Sequence, residues 1–422
     1  MDLETEVAEP AAPPLHPAHA IVTLGAVQAL TMAAGLARTK VMALLLGPAG
    51  VGVASVVDQA LSLIAQLGSV SVPFATLKFL SRARSAHADE QRQIYGALFK
   101  TLVIASTAAA VIGIGLAGWK PDVFGDGLAS FRLVVVLALA GVPPFALAPM
   151  LRNVLAAFDR NRAAALAALF TAILSVAGAY LGVRLGGLAG LYVANGLVSL
   201  LTVIALQRYI AGTLGMPLSA RVQGVPTIDV LKAQPGLFRF AGAMYVLSLT
   251  SPVAYLSARS SLLSEHGAVE AGLVAAAYGV AVSLRLVLHQ ANALYLLPLV
   301  NRGSPKGERM EIVAEYMRVL VMLVACAALA IALFPHEVLI ILYSARFLGA
   351  VHYVTLFVIA ETVLLLGGVY QTLLVGFDDI GAHLASTASG HVLTIVLARF
   401  LVPGMGGRSE ERRVGKECRS RW

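Results

Sequence analysis

Charge is scarce in this chain. Only 13% of its 422 residues are Asp, Glu, Lys or Arg and 58% are apolar, whereas soluble domains carry about 25% charged and 45–50% apolar residues. A water-soluble globule is excluded. Cysteine is nearly missing as well: Cys326 lies in an apolar run and Cys418 at the far end, so neither a disulfide framework nor metal-ligand spacing is on offer. The first twenty residues are acidic and proline-rich (Glu4, Glu6, Glu9, Pro10, Pro13) and lack the basic n-region of a signal peptide. They are expected to form a disordered cytoplasmic tail. No Gly-x-x-x-x-Gly-Lys-Ser/Thr loop occurs, so the chain supplies no ATPase of its own. There is no nucleophile elbow and no resident cofactor is implied, which argues against an enzyme.

What the chain has is apolar length. A helix needs about 20 residues to cross some 30 Å of hydrocarbon, and eleven stretches qualify: 21–46, 51–80, 94–118, 128–151, 163–183, 187–207, 240–263, 271–298, 313–334, 347–370 and 383–402. The expected fold class is all-α, a polytopic membrane bundle. The longest connection, 208–239, is read as a cytoplasmic linker between a six-helix lobe, 21–207, and a second lobe, 240–407, in which a twelfth helix is missing. Two halves around a central site is a common transporter plan. Residues 408–422 read codon for codon as translated sequencing adapter and are expected to be a non-native tail. Without their six Lys/Arg and three acids the formal charge falls from +8 to +5, and the basic terminus gives no reason to expect a nucleic-acid partner.

Lys and Arg mark the cytoplasmic side. Fourteen follow helices two, four, six and eight, from Arg82 to Arg318, and against them Lys120 and Arg184 are counted in the loops after helices one, three, five, seven and nine. The N-terminus is therefore expected in the cytoplasm.

Four local patterns carry a family resemblance. Lys40-Val-Met-Ala-Leu-Leu-Leu-Gly-Pro-Ala-Gly-Val-Gly52, Phe74-Ala-Thr-Leu-Lys78, Pro252-Val-Ala-Tyr-Leu-Ser-Ala-Arg259 and Tyr295-Leu-Leu-Pro-Leu-Val-Asn-Arg302 resemble the exits of helices one, two, seven and eight in polysaccharide flippases. These are the Wzx-like proteins of the O-antigen and enterobacterial common antigen type, within the multidrug/oligosaccharidyl-lipid/polysaccharide exporter superfamily. The resemblance spans roughly residues 20 to 407. It implies a MATE-like two-lobed fold in a bacterial inner membrane, flipping a polyprenyl-diphosphate-linked glycan to the periplasmic leaflet by alternating access. Membrane lipids and a glycan polymerase would be its partners. The alternatives are a MATE-type cation/drug antiporter, which should favour carboxylates in its cavity, and a peptidoglycan-precursor flippase, whose usual fourteen helices fit poorly. A membrane glycan polymerase would need a sizeable external loop.

A charge inside the bilayer costs at least about 2.5–3.5 kcal/mol, so each one needs a partner, water or a function. Arg285, with His289 one turn further along helix eight, suits a bidentate grip on a diphosphate or an ion pair with Glu361. Arg38 and Lys40 stand about 200° apart around helix one, so only one can face a cavity; the resemblance favours Lys40. Arg259 either joins that cavity or snorkels. Lys78 reads as an anchor at the end of helix two. Asp58 and Glu361 are the deeply placed carboxylates and the candidates for H⁺ or Na⁺ coupling, with structural pairing as the other possibility.

Overall fold

The computed structural model describes residues 17–85, 87–125, 127–216, 227–291, 306–376 and 380–404, and among these there are helices and no strand. Helix is what hydrocarbon demands, because no water is available there to satisfy open backbone groups. The helices are α1 (Pro17–Ser69), α2 (Val72–Arg82), α3 (Ala88–Trp119), α4 (Arg132–Ala140), α5 (Val142–Ala157) and α6 (Asn161–Leu214). They continue with α7 (Thr227–Lys232), α8 (Leu237–Ala291), α9 (Lys306–Leu333), α10 (Pro335–Leu342), α11 (Val351–Gly376) and α12 (Ile380–Gly404). The adapter-like residues 408–422 lie outside the described residues.

Three of these helices are too long to cross once. α1, α6 and α8 have 53, 54 and 55 residues, and each folds back at a glycine: Gly47 (φ 65°), Gly187 (φ 57°) and Gly267 (φ 84°). A side chain at such angles would clash, so glycine permits a reversal with no loop at all. Seven segments among the described residues are long and apolar enough to cross a membrane; counting two crossings for each of these three helices, and adding α12, gives the eleven expected. The second crossing is not the continuous 51–80 helix of the sequence reading. It breaks between α1 and α2, where Val70 (φ 45°) and Ser71 (φ 55°) take left-handed angles, and the Asn153 amide donates to the Pro73 carbonyl at 2.8 Å just beyond the break.

The three turns, together with residues 120–125, 127–131 and 334–350, share one end of the bundle, here called the glycine end. The opposite, arginine end carries Arg82, Arg84, Arg92, Arg160, Arg162 and Arg239. Arg132 and Arg346 join Lys120 and Arg184 at the glycine end, so the charge imbalance is smaller than the loop count from sequence suggested.

Packing between the first six crossings and the later ones runs along α1, α2, α8 and α10. Leu256, Leu262, Leu263 and Ala271 of α8 enter the core formed by α1, α3, α4 and α6. Towards the arginine end the Tyr245 hydroxyl donates to the Leu67 carbonyl at 3.2 Å, and Lys78 stands 4.0 Å over the Phe240 ring. At the glycine end the backbones themselves touch: a Cβ on Gly272 would lie 1.8 Å from the Pro48 carbonyl oxygen, and one on Gly52 2.0 Å from that of Ala268. Membrane helices associate by such close approach because lipid supplies no hydrophobic drive between them. Large apolar side chains such as Ile104, Val111, Ile112, Met322 and Ile359 point outward, as a lipid-facing surface requires.

The glycine contact predicts that Gly272→Ala destabilises the purified protein by about 1–3 kcal/mol through overpacking. Gly115→Ala, where nothing lies within 4 Å of the added methyl, should leave the unfolding temperature unchanged. A Gly272→Ala protein as stable as wild type would refute the backbone crossing.

Candidate functional site

The glycine turns set the depth of the charged residues. Arg38 and Asp58 lie on the two arms of α1, nine residues before and eleven after Gly47, and Arg259 lies eight residues before Gly267. At a rise of 1.5 Å per residue these positions are about 12 to 17 Å in from the glycine end. Each hairpin thus delivers its charge to a similar level, well inside the apolar layer.

At that level the side chains of both halves meet. The Tyr192 hydroxyl, from the second arm of α6, is 2.9 Å from Asp58 Oδ1 and 3.0 Å from the Ala54 carbonyl one turn earlier. Arg259 Nη1 donates to the Ser55 carbonyl at 3.1 Å, reaching across from the later crossings to the earlier ones. Arg38 Nη2 donates to Asn195 Oδ1 at 3.4 Å, while its Nε is buried without a hydrogen-bond partner. Both guanidiniums lie within electrostatic reach of the Asp58 carboxylate, yet neither forms an ion pair with it; the ion pairs found among the described residues are Arg84–Asp159 and Arg92–Asp89, both at the arginine end.

An aromatic wall backs this cluster. The Arg259 guanidinium stands 5.3 Å over the Tyr278 ring. Tyr278 packs on Tyr255 at 5.6 Å and edge-on to Phe357 of α11 at 5.8 Å, and Tyr255 meets His391 of α12 at 6.2 Å. Aromatic faces attract a desolvated cation, so the wall holds Arg259 inward and opposes snorkelling. A cavity of about 390 Å³ opens between the first arm of α1 and the second arm of α8, lined by Thr31, Gly35, Gly279, Ser283 and Tyr343 among others; Arg38, Asp58 and Arg259 are not among its lining residues. A second, of about 340 Å³, lies nearer the glycine end, lined by Asp122 and four serines of α8. No group of three or more His, Cys, Asp or Glu among the described residues is placed to hold a metal ion.

Of the residues singled out from sequence, the structure brings Arg38, Asp58 and Arg259 together. Lys40 is elsewhere: its ammonium donates to the Ile340 carbonyl in the last turn of α10, where a cation satisfies an open helix end. Glu361 is buried on α11, 2% exposed. Arg285 and His289 belong to α8, but their side chains lie outside the described residues. Arg285 is eighteen residues beyond Gly267, about 27 Å from the glycine end and so at a different level from Arg259. Sequence reasoning overlooked Tyr192, Asn195, Tyr278 and His391. Tyr255 lay inside a quoted motif, but nothing in the spacing marked it as a neighbour of Arg259.

No protein-family model matches the chain. Among curated proteins it is similar to the Lipid III flippase of Escherichia coli (strain K12), with 23% identity over 376 residues covering 88% of each chain. Among solved structures it resembles the inward-facing conformation of a multidrug resistance MATE family transporter of the MOP superfamily, with a TM-score of 0.64 and 15% identity over 89% of this chain and 84% of that one. The outward-facing conformation of such a transporter gives a TM-score of 0.62 and 15% identity, covering 95% and 96%. The chain has the MATE-type fold and is a multi-pass membrane protein.

The geometry separates Lys40 from the arginines. Lys40→Met should cost about 1 kcal/mol of stability, through the lost bond to a helix C-terminus, while leaving unchanged whatever pyrophosphate binding the wild type shows. A titration of the purified variant with inorganic pyrophosphate, alongside its melting curve, checks both halves of this statement.

Proposed function

We propose that this chain flips a lipid-linked oligosaccharide, carried on a polyprenyl diphosphate, from the cytoplasmic to the periplasmic leaflet of a bacterial inner membrane by alternating access. The observation that carries the proposal is the pair of guanidiniums, one from each half, that share a single carboxylate without pairing to it. Such an arrangement retains a positive charge inside the membrane that an anionic substrate can neutralise, and planar forks suit phosphate oxygens. Similarity to a protein named Lipid III flippase supports the same substrate class. The lipid tail would stay in the bilayer while the diphosphate reaches Arg38 and Arg259. Residues 21–207 and 240–407 act as the two lobes that rock, with 208–239 as the link between them. Because the fold neighbours include multidrug transporters, cation/drug antiport is the competing function, and the surplus of positive charge at Asp58 disfavours a cationic cargo.

In this reading the arginine end faces the cytoplasm, since Lys and Arg accumulate on that side. H⁺ or Na⁺ would act at Asp58 or Glu361, Arg285 with His289 would extend the cationic path, and a glycan polymerase would receive the product.

Arg259→Ala and Arg38→Ala should each reduce glycan export at least about tenfold with the protein still present in the membrane, and Lys at either position should restore only part of it, because a point charge replaces a planar fork. Export assays normalised to membrane abundance decide this; full activity of both alanine variants would exclude the cluster as the substrate site. For orientation, Gly127→Cys should be labelled by an impermeant maleimide from outside the cell and Gln223→Cys should not, and the reverse pattern would invert the proposed direction.

A further inference from the structure

Arg38 and Arg259 bring two positive charges to a place where Asp58 supplies one negative charge. A diphosphate diester carries two negative charges of its own, so its arrival makes Asp58 the surplus anion. Within a few ångströms, and in a medium far less polarisable than water, that like charge weighs heavily against binding. The carboxylate is nonetheless kept in place: Tyr192, itself buried at 2% exposure, holds Oδ1 at 2.9 Å while also reaching the Ala54 carbonyl at 3.0 Å. The result is a carboxylate tethered to α6 and paired with neither guanidinium, beside an Arg38 Nε that has no partner.

We propose that Asp58 is a resident counter-anion, held back by Tyr192, that competes with the diphosphate for Arg38 and Arg259 and so sets how readily the site releases its substrate. This deepens the diphosphate reading given above and depends on it. In the empty site the carboxylate offsets part of the cost of keeping two guanidiniums in the membrane. With substrate bound it weakens the grip, and a translocation site must bind firmly enough to load yet loosely enough to unload. Tyr192 sets the balance. A carboxylate released from its hydroxyl can swing onto the arginines and close the site to other anions.

The two residues therefore make opposite predictions. In the full-length chain reconstituted in lipid nanodiscs, with inorganic pyrophosphate as the probe, Asp58→Asn should bind about tenfold more tightly and export glycan more slowly in cells. Tyr192→Phe, which frees the carboxylate, should bind pyrophosphate several-fold more weakly. A merely structural role would move both variants in the same direction, and that outcome overturns the proposal. So does an Asp58→Asn protein whose affinity is unchanged or lower. Should Asp58→Asn fail to fold, Tyr192→Phe decides alone, and unchanged binding overturns the counter-anion role. Arg259→Ala distinguishes the two levels of failure. Loss of pyrophosphate binding there, with Asp58→Asn unaltered, leaves the diphosphate site standing without a counter-anion; wild-type binding by Arg259→Ala removes the site and the counter-anion together.

Discussion

The cost of a charge in hydrocarbon governs how this molecule is built. A lone guanidinium inside the bilayer is unfavourable by several kcal/mol, and here two approach one carboxylate without a direct ion pair to relieve them. Relief comes instead from many weaker sources: the Ser55 carbonyl, the Asn195 amide oxygen, the Tyr278 face and the distributed field of Asp58. Each of these sits on a different helix arm or crosses between halves. Removing the crossings from one another would strand the charges, so the arginines hold the bundle together at this level.

Glycine makes that convergence possible. A hairpin loop of ordinary length would displace one arm against the other, whereas single residues with positive φ reverse α1, α6 and α8 with almost no offset. Arg38 and Asp58 consequently stand at nearly the same depth although twenty residues separate them. The same residue type then serves a second purpose at Gly52 and Gly272, where the absence of a side chain lets the backbones of α1 and α8 meet. Turn and contact are adjacent in sequence, Gly47 to Gly52 and Gly267 to Gly272, so the reversal of each hairpin also aims its small face at the other.

Much of this was legible in the sequence. Eleven crossings follow from apolar length between polar breaks, and the scarcity of charge made each interior Arg, Lys, Asp and Glu conspicuous. Hydropathy gives depth but no rotation about the helix axis and no partner. That is why Arg38 and Lys40 could be ranked only as alternatives, and why the structure was needed to put Lys40 on the Ile340 carbonyl and Arg38 on the Asn195 amide oxygen. The break at Val70 and Ser71 was invisible because neither residue type signals a left-handed turn. Tyr192, Tyr255 and Tyr278 look like ordinary apolar filling when read in one dimension; only packing reveals that they surround the charges.

Opening at the glycine end must disturb both features at once. The Arg259 bond to Ser55 crosses between the halves three residues along α1 from the Gly52–Gly272 contact, and it engages the other arm of α8. Separating those helices at their turns therefore lengthens the bond and removes a hydrogen-bond partner from Arg259, leaving its charge more dependent on Asp58 or on a bound anion. A ligand that satisfies the guanidinium equally well from either half lowers the cost of that separation, whereas an empty site resists it. If Arg259 holds the substrate as proposed, movement of the halves and occupancy of the anion site would be coupled through one side chain, and the strength of that coupling would be limited by how much better a diphosphate satisfies Arg259 than the Ser55 carbonyl does.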